Sequence, residues 1–300
     1  MNNKITITIC GSVAFARAIL TIAARLEKRG FIVNVPLGLE LFLPPEKHQE
    51  LLNSWGQAEG AERKIRYNLI KDYYEKIKKS DAILVINKTK KGIKGYIGGN
   101  TFLEMGFAHV LGKKIYVLNP LPKNLGLIYQ ELLAFQPTIL NGDLAEIKVC
   151  PHRCVGMLVW RKNKLLLIER RKSPFGYAPP AGHLKKKEFF KEAARRELKE
   201  ESGLEAVSLK LVTRGRKDNQ CRRLKGSWHS WRIYQAKVRG KIRPNLDEVV
   251  KIGWYSSYQL KKMANRTKKF IKGEISQNDW QKSPGLEVVW LEWLRKLEII

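Results

Sequence analysis

The stretch GHLKKKEFFKEAARRELKEESGL, residues 182–204, decides how this chain is read, because its charges sit where an ordinary surface helix has none. From Glu188 onward the residues are good helix formers, and Gly203 supplies a stop after Ser202. At about 100° per residue, Phe190, Ala194 and Leu198 make an apolar stripe that must face a core. Glu201 projects within about 20° of Ala194, and Glu197 within about 60°. A carboxylate on the wet edge of a buried face is costly unless something positive holds it. Glu197, Glu200 and Glu201 therefore mark a place where a cation is expected, rather than a solvated face.

The rest of the chain sets bounds on that site. Three hundred residues suit two domains of ordinary size, each able to bury its own core. An apolar content of 44% fits globular structure, and no run is apolar for long enough to span a bilayer, so no membrane partner is expected. The start, MNNKITITICGS, passes directly into a strand-like alternation and lacks the pattern of a signal peptide, which gives a cytoplasmic expectation. Four cysteines, at 10, 150, 154 and 221, do not make a disulfide framework. Cys150, His152 and Cys154 offer three soft ligands to zinc, but no second nearby pair completes a tetrahedral site, and they fall where a linker is expected.

Lys and Arg number 57 against 28 acidic residues, a formal charge of +29. Residues 151–300 hold 36 basic and 15 acidic residues, so most of the surplus lies in the second half. Such a field attracts polyanions, either phosphorylated metabolites or RNA, or it only solvates the surface.

Along the first half, strand and helix signals alternate. ITITIC (5–10), FIVNVP, DAILVIN and KIYVLNP read as strands, and residues 13–30, 58–79 and 101–114 as helices, with a loop at Pro44 and Pro45. The strands lack polar alternation, which indicates a parallel sheet covered by helices on both faces. Ligands collect beyond the carboxyl ends of such strands, where Gly11-Ser12 and the loop GYIGGN (95–100) fall. Near residue 150 the pattern changes. VGMLVW, KLLLIER, VSLKLVTRG, SWRIYQAKV and KIGWYS are strand candidates around the opening helix, and the tail from Ser257 is helical with Pro284-Gly285 as punctuation.

Written as Gly182, five residues, Glu188, seven residues, then REL-x-EE-x-GL from Arg196 to Leu204, the opening stretch resembles the complete Nudix box. The resemblance implies an α/β/α sandwich with a mixed sheet and a hydrolase that cleaves the diphosphate linkage of nucleoside diphosphate derivatives with Mg²⁺ or Mn²⁺. It makes Glu197, Glu200 and Glu201 metal ligands, adds the backbone carbonyl of Ala181, and gives Glu188 and Arg196 the task of holding loop and helix together. Its catalytic base varies, and the candidates here are Glu201 and Glu248 in DEVVKIGWYS. Ala181 stands where a second glycine is common, and Lys185, Lys186 and Lys187 replace a less basic turn; they either contact phosphates or are solvated. Trp228, His229 and Trp231 offer rings that either stack a base or pack across strands.

The first half, with SDAILVIN and GGNTFLEMGFAHVLGKKIYVLNP, resembles the nucleoside 2-deoxyribosyltransferase-like superfamily. That resemblance implies a Rossmann-like nucleoside-binding domain in which Glu104 attacks the sugar carbon, Asp72 is the second acid, and Gly11, Ser12, Gly99 and Asn100 contact the substrate. Asp72 lies one residue out of the register expected with Asp81, and Asp81 reads better as the end of a helix-to-strand loop. The expected organisation is thus a deoxyribosyltransferase-like domain over residues 1–147 and a Nudix domain over 151–300. The expected partner is a nucleotide or nucleoside diphosphate derivative, with RNA admitted by the charge and a homodimer left open. Two alternatives stand beside the enzyme: a regulator whose first domain only senses a nucleotide, and a protein that binds RNA or processes its 5′ end.

Overall fold

The structure is a computed structural model that describes residues 4–36, 39, 65, 68–124 and 126–300. The chain divides into two compact units, Met1–Lys148 and Val149–Ile300. Among the described residues no helix is long and apolar enough to cross a membrane.

In the first unit, strand β1 (Thr6–Gly11) runs through a 3₁₀ turn, Val13–Phe15, into helix α1 (Ala16–Lys28) and β2 (Ile32–Asn34). Then come α2 (Leu69–Lys79), β3 (Ala82–Ile86), α3 (Gly99–Val110), β4 (Lys114–Val117), α4 (Leu127–Ala134) and β5 (Thr138–Ile139). All pairings are parallel, in the order β2-β1-β3-β4-β5. Every residue of β3 is buried, as expected of a strand with helices on both faces. One face packs Cys10, Ile83, Val85 and Val117 against Tyr73 and Ile77 of α2 and Met105 and Ala108 of α3. Asp81 takes the N–H of Thr6 at 2.8 Å, so its carboxylate secures the start of β1. The helix expected over 58–79 is observed from Leu69; residues 58–64, 66 and 67, and the loop at Pro44 and Pro45, lie outside the described residues. Helix α4 and strand β5 are additions, since eight largely apolar residues and a two-residue strand give no readable period.

In the second unit β6 (Arg153–Arg161), β7 (Lys164–Arg170), β8 (Tyr177–Ala178) and β9 (Ala181–His183) precede α5 (Phe190–Ser202). After it come β10 (Glu205–Lys217), β11 (His229–Arg239), β12 (Val249–Tyr255), α6 (Ser257–Ile271), α7 (Gln277–Lys282) and α8 (Val288–Lys296). The sheet is mixed. Its order is β10-β11-β6-β7-β12, with β8 on β7 and β9 on β6, and only β11–β6 is parallel.

The period of two in β6 sends its residues to two cores. Val155, Met157 and Val159 meet Ala193, Ala194 and Leu198 of α5, while Cys154 and Leu158 meet Trp290, Trp293 and Leu294 of α8. Between them Gly156 leaves room for the Trp290 indole, which a Cβ there would overlap at 2.4 Å. Helix α5 starts with Glu192 accepting the Phe189 N–H at 2.9 Å and stops at Gly203, whose φ of +76° is the left-handed conformation that glycine adopts freely. This fixes which face of α5 meets the sheet.

Candidate active site

Burying Ala194 and Leu198 carries Glu201 inward with them, and it is 4% exposed. There its Oε2 accepts the backbone N–H of Ala181 at 2.8 Å, tying α5 to β9. Glu197 lies one turn earlier. A Cβ on residue 182 would come within 2.1 Å of the Glu197 carboxyl carbon, so glycine lets that carboxylate lie directly on the β9 backbone. Glu200 is the outermost of the three, its side chain 45% exposed.

Arg196 organises the outer side. Its Nε and Nη2 grip both oxygens of Glu188 at 2.7 and 2.8 Å, a bidentate fork that closes the turn between β9 and α5. The same guanidinium donates to the His183 carbonyl at 3.0 Å, to Glu197 Oε1 at 2.7 Å and to Glu200 Oε2 at 2.8 Å. Its hydrogen bond holds the Glu188 carboxyl below the usual range. The exposed Lys185, Lys186 and Lys187 ride on this turn; Lys185 gives its N–H to Glu188 at 2.7 Å and brings its Nζ to 3.5 Å from Glu200.

The inner side belongs to Arg170, at the end of β7. It donates to the Ala181 carbonyl at 3.1 Å and pairs with buried Glu287 at 2.9 Å. Burial works against its charge, but Glu287, Glu201 and Glu197 overcome that penalty and keep it protonated. Neither Arg170 nor Glu287 stood out in the sequence, since an Arg ending a strand and a Glu opening a helix carry no motif.

Burial dominates the acids themselves. It pushes Glu201 up to about 8 against the pull of Arg170, with Glu197 and Glu248 adding to the rise. It raises Glu197 too, against Arg196. The Coulombic effect on Glu201 places Glu248, just ahead of β12, within electrostatic reach of the cluster. Ala181, Glu197, Glu200 and Glu201 are thus brought together, with Glu248 beside them.

The aromatic candidates lie elsewhere. Trp228 stacks on His152 at 4.3 Å and carries the Arg216 guanidinium 4.4 Å from its ring centre. Trp231 is buried in the core below α8.

In the first unit, Glu104 on α3 accepts a hydrogen bond from the Cys10 thiol, next to the Gly11-Ser12 turn that ends β1. Its Oε2 is shielded from solvent with no hydrogen-bond partner among the described residues, and burial pushes the carboxyl up to about 8. Ser12 caps the following turn through Ala14 N–H at 3.3 Å and receives Lys90 Nζ at 2.9 Å. Gly99 and Asn100 open α3, and the strand order reverses between β1 and β3. Asp72 on α2 forms an ion pair with Lys76 at 3.5 Å.

No curated protein matches the chain. Among solved structures it is similar to the MutT NUDIX hydrolase from Burkholderia pseudomallei, with 23% identity over 35% of this chain and 83% of that one and a TM-score of 0.33. It is also similar to the NUDIX hydrolase from Nitrosomonas europaea, with 20% identity, 46% and 94% covered, and a TM-score of 0.34. A C. elegans Ap4A hydrolase shares 22% identity over 40% of this chain and 98% of its own, with a TM-score of 0.32. The family model of the NUDIX domain matches residues 151–273, the segment that holds β6 through α6 and every carboxylate of the cluster on α5, and these residues form a NUDIX domain.

Proposed function

We propose that this protein hydrolyses the diphosphate linkage of a nucleoside diphosphate derivative at the α5 cluster. One observation carries the reading: two acids of one helix face, Glu197 and Glu201, meet the backbone of β9 with Glu200 joined to them through Arg196, and Glu201 is 4% exposed. Among the described hydrogen bonds Glu197 commits one oxygen to Arg196 and Glu201 one to Ala181 N–H, while Glu200 gives one to Arg196 and the other, at 3.5 Å, to the exposed Lys185 ammonium, which a cation can displace. The second oxygens, with the Ala181 carbonyl, form a hard donor set that suits Mg²⁺ or Mn²⁺. Desolvated acids crowded together disfavour their own charge, and a divalent cation removes that penalty.

Glu197, Glu200, Glu201 and the Ala181 carbonyl would hold the cation. Bound there, it supplies neutralisation of substrate phosphates and a lowered pKa for water. The protein's own work is positional. Arg196 fixes two of the acids and the turn, and Arg170 fixes the Ala181 carbonyl and balances the buried charge. Glu248 is the proton acceptor we favour, because Glu201 already serves Ala181 N–H. Trp228 is assigned to packing around His152.

For the first unit we propose a nucleotide-binding domain of the deoxyribosyltransferase-like kind, extending over residues 1–147, with residues 151–300 as the hydrolase. The Glu104 carboxylate next to the β1 turn favours this reading. Turnover of a panel of nucleoside diphosphate derivatives with Mg²⁺, read by product mass, tests the hydrolase. Paired products from cleavage between phosphates are expected, lost by orders of magnitude in Glu201→Gln; a folded variant with unchanged turnover would overturn the assignment.

A further inference from the structure

At the end of the second unit's sheet where β6 begins, four side chains that no motif connects come together. Cys150, His183, Cys221 and His229 each direct one ligand atom to a common point, and these atoms all lie within 4.8 Å of one another. Cys150 Sγ is 3.1 Å from His229 Nε2 and 3.5 Å from His183 Nε2. A tetrahedral Zn²⁺ with bonds of about 2.3 Å to sulfur and about 2.0 Å to nitrogen separates its ligand atoms by roughly 3.3–3.8 Å. The cluster is already close to that size.

We propose that Cys150, His183, Cys221 and His229 form a closed structural Zn²⁺ site that anchors the strand carrying Gly182.

The sheet explains how residues so distant in sequence converge. Cys150 precedes β6, while β9 and β11 flank the beginning of that strand on its two sides, with His183 opposite Cys154 and Ser230 opposite Arg153. His183 ends β9 and His229 starts β11, so both rings fall beside Cys150. Cys221 arrives on the loop after β10, which folds back through Cys221 N–H to the Gly226 carbonyl at 2.7 Å. Cys150 N–H to the Leu224 carbonyl at 2.9 Å holds that loop against the segment before β6. Gly226 admits the fold, since a Cβ there would meet Cys221 Sγ at 2.1 Å.

The surroundings orient the four ligand atoms. Cys150 Sγ accepts the His152 N–H at 3.3 Å, and Cys221 Sγ accepts the Arg223 N–H, two residues on in each case. Such N–H to sulfur bonds stabilise a thiolate. The His229 ring uses Nε2 toward the cluster and sets Nδ1 at 3.1 Å from Asn219 Oδ1, which also accepts the Trp231 indole N–H at 3.3 Å. A carbonyl oxygen there fixes the tautomer that leaves Nε2 free to ligate. His229 is 1% exposed and Cys150 4%. With four protein ligands the site has no open position, so its role is structural. His183 lies two residues beyond Ala181, the carbonyl assigned to the catalytic cation, so an anchored His183 steadies β9 directly.

The test uses the full chain, expressed with zinc and purified under thiol reductant, with metal content read by mass spectrometry. One Zn²⁺ per chain is expected, reduced to background in Cys221→Ser. His152→Asn, which keeps the backbone N–H and suits the left-handed φ of +55° at that position, should retain it. Co²⁺ substitution should give tetrahedral visible bands and a thiolate charge-transfer band, which oxygen ligands on α5 do not produce. His229→Cys, a four-ligand variant, should still bind zinc if Cys221→Ser does not fold. The proposal is overturned if wild-type protein takes up neither Zn²⁺ nor Co²⁺ with that band, if folded Cys221→Ser keeps its zinc, or if intact mass shows a Cys150–Cys221 disulfide under reductant.

Discussion

Glu201 and Glu104 are both helical acids pushed up to about 8 by burial, one in each unit, yet their companions differ. Around Glu201 stand two more acids, the Ala181 N–H and carbonyl, and the buried Arg170. Around Glu104 there is the Cys10 thiol and an Oε2 with no partner among the described residues. The same upward push on two carboxyls therefore prepares different chemistry. A crowd of acids is stabilised by a divalent cation, whereas a solitary acid near the Gly11-Ser12 turn suits metal-free attack or hydrogen bonding.

The largest expected effect separates the two directly. Glu201→Gln should lower pyrophosphate cleavage by orders of magnitude without touching events at the first unit. If the first unit is itself catalytic, Glu104→Ala should abolish release of free base from a nucleoside monophosphate while sparing pyrophosphate cleavage, and EDTA should produce the opposite pattern. Product analysis of both variants with one substrate panel checks the comparison. If wild type releases no base from any nucleoside or nucleotide tested, the first unit binds without reacting.

A smaller effect probes how the crowd is held. Gly182→Ala would drive a methyl into the Glu197 carboxyl, 2.1 Å from its carbon. The carboxylate or β9 must shift by about an ångström, and misplacement on that scale costs about 10²-fold in turnover. The expected signature is a lower kcat and weaker Mg²⁺ activation with an intact fold by circular dichroism. Unchanged Mg²⁺ dependence would show that Glu197 is not positioned by β9.

The same contrast explains what was legible in the sequence. The α5 cluster is local: helix period, the glycine, Glu188 and Arg196 fall within 23 residues, so their spacing encodes the geometry. The two sheets were readable for a similar reason, since continuous apolar runs mean burial on both faces. Arg170, Glu287 and the Cys/His cluster depend on strand pairing instead. Cys150 looked like one end of a three-ligand run with His152 and Cys154, but Cys150 and His152 precede β6, the chain turns at His152 with its left-handed φ of +55°, and Cys154 points into the core below α8. Cys150 finds its companions across β9 and β11, which sequence spacing does not reveal. At Glu104 the helix was readable, but the Cys10 contact arises only because α3 packs across β1.

The smallest expected effect concerns Glu104 as a proton holder. An ordinary Glu loses its proton near 4.5, whereas burial moves Glu104 to about 8 in the folded unit. Between those values the native chain holds a proton that the unfolded chain has released. Stability then falls as pH rises, because the slope of unfolding free energy with pH follows the protons bound unfolded minus those bound native. The contribution is fully present below about 4.5 and lost on passing about 8. Its slope is at most about 1.4 kcal/mol per pH unit, the value for one proton. Glu104→Gln keeps the shape and removes the titration, so urea unfolding of the first unit should decline less steeply over this window than in wild type. The Cys10 hydrogen bond pulls the carboxyl the other way, so Cys10→Ala should raise the upper end of the window. Parallel pH profiles for wild type and Glu104→Gln would mean that Glu104 is already ionised in the folded chain, and the contrast with Glu201 would then rest on companions alone.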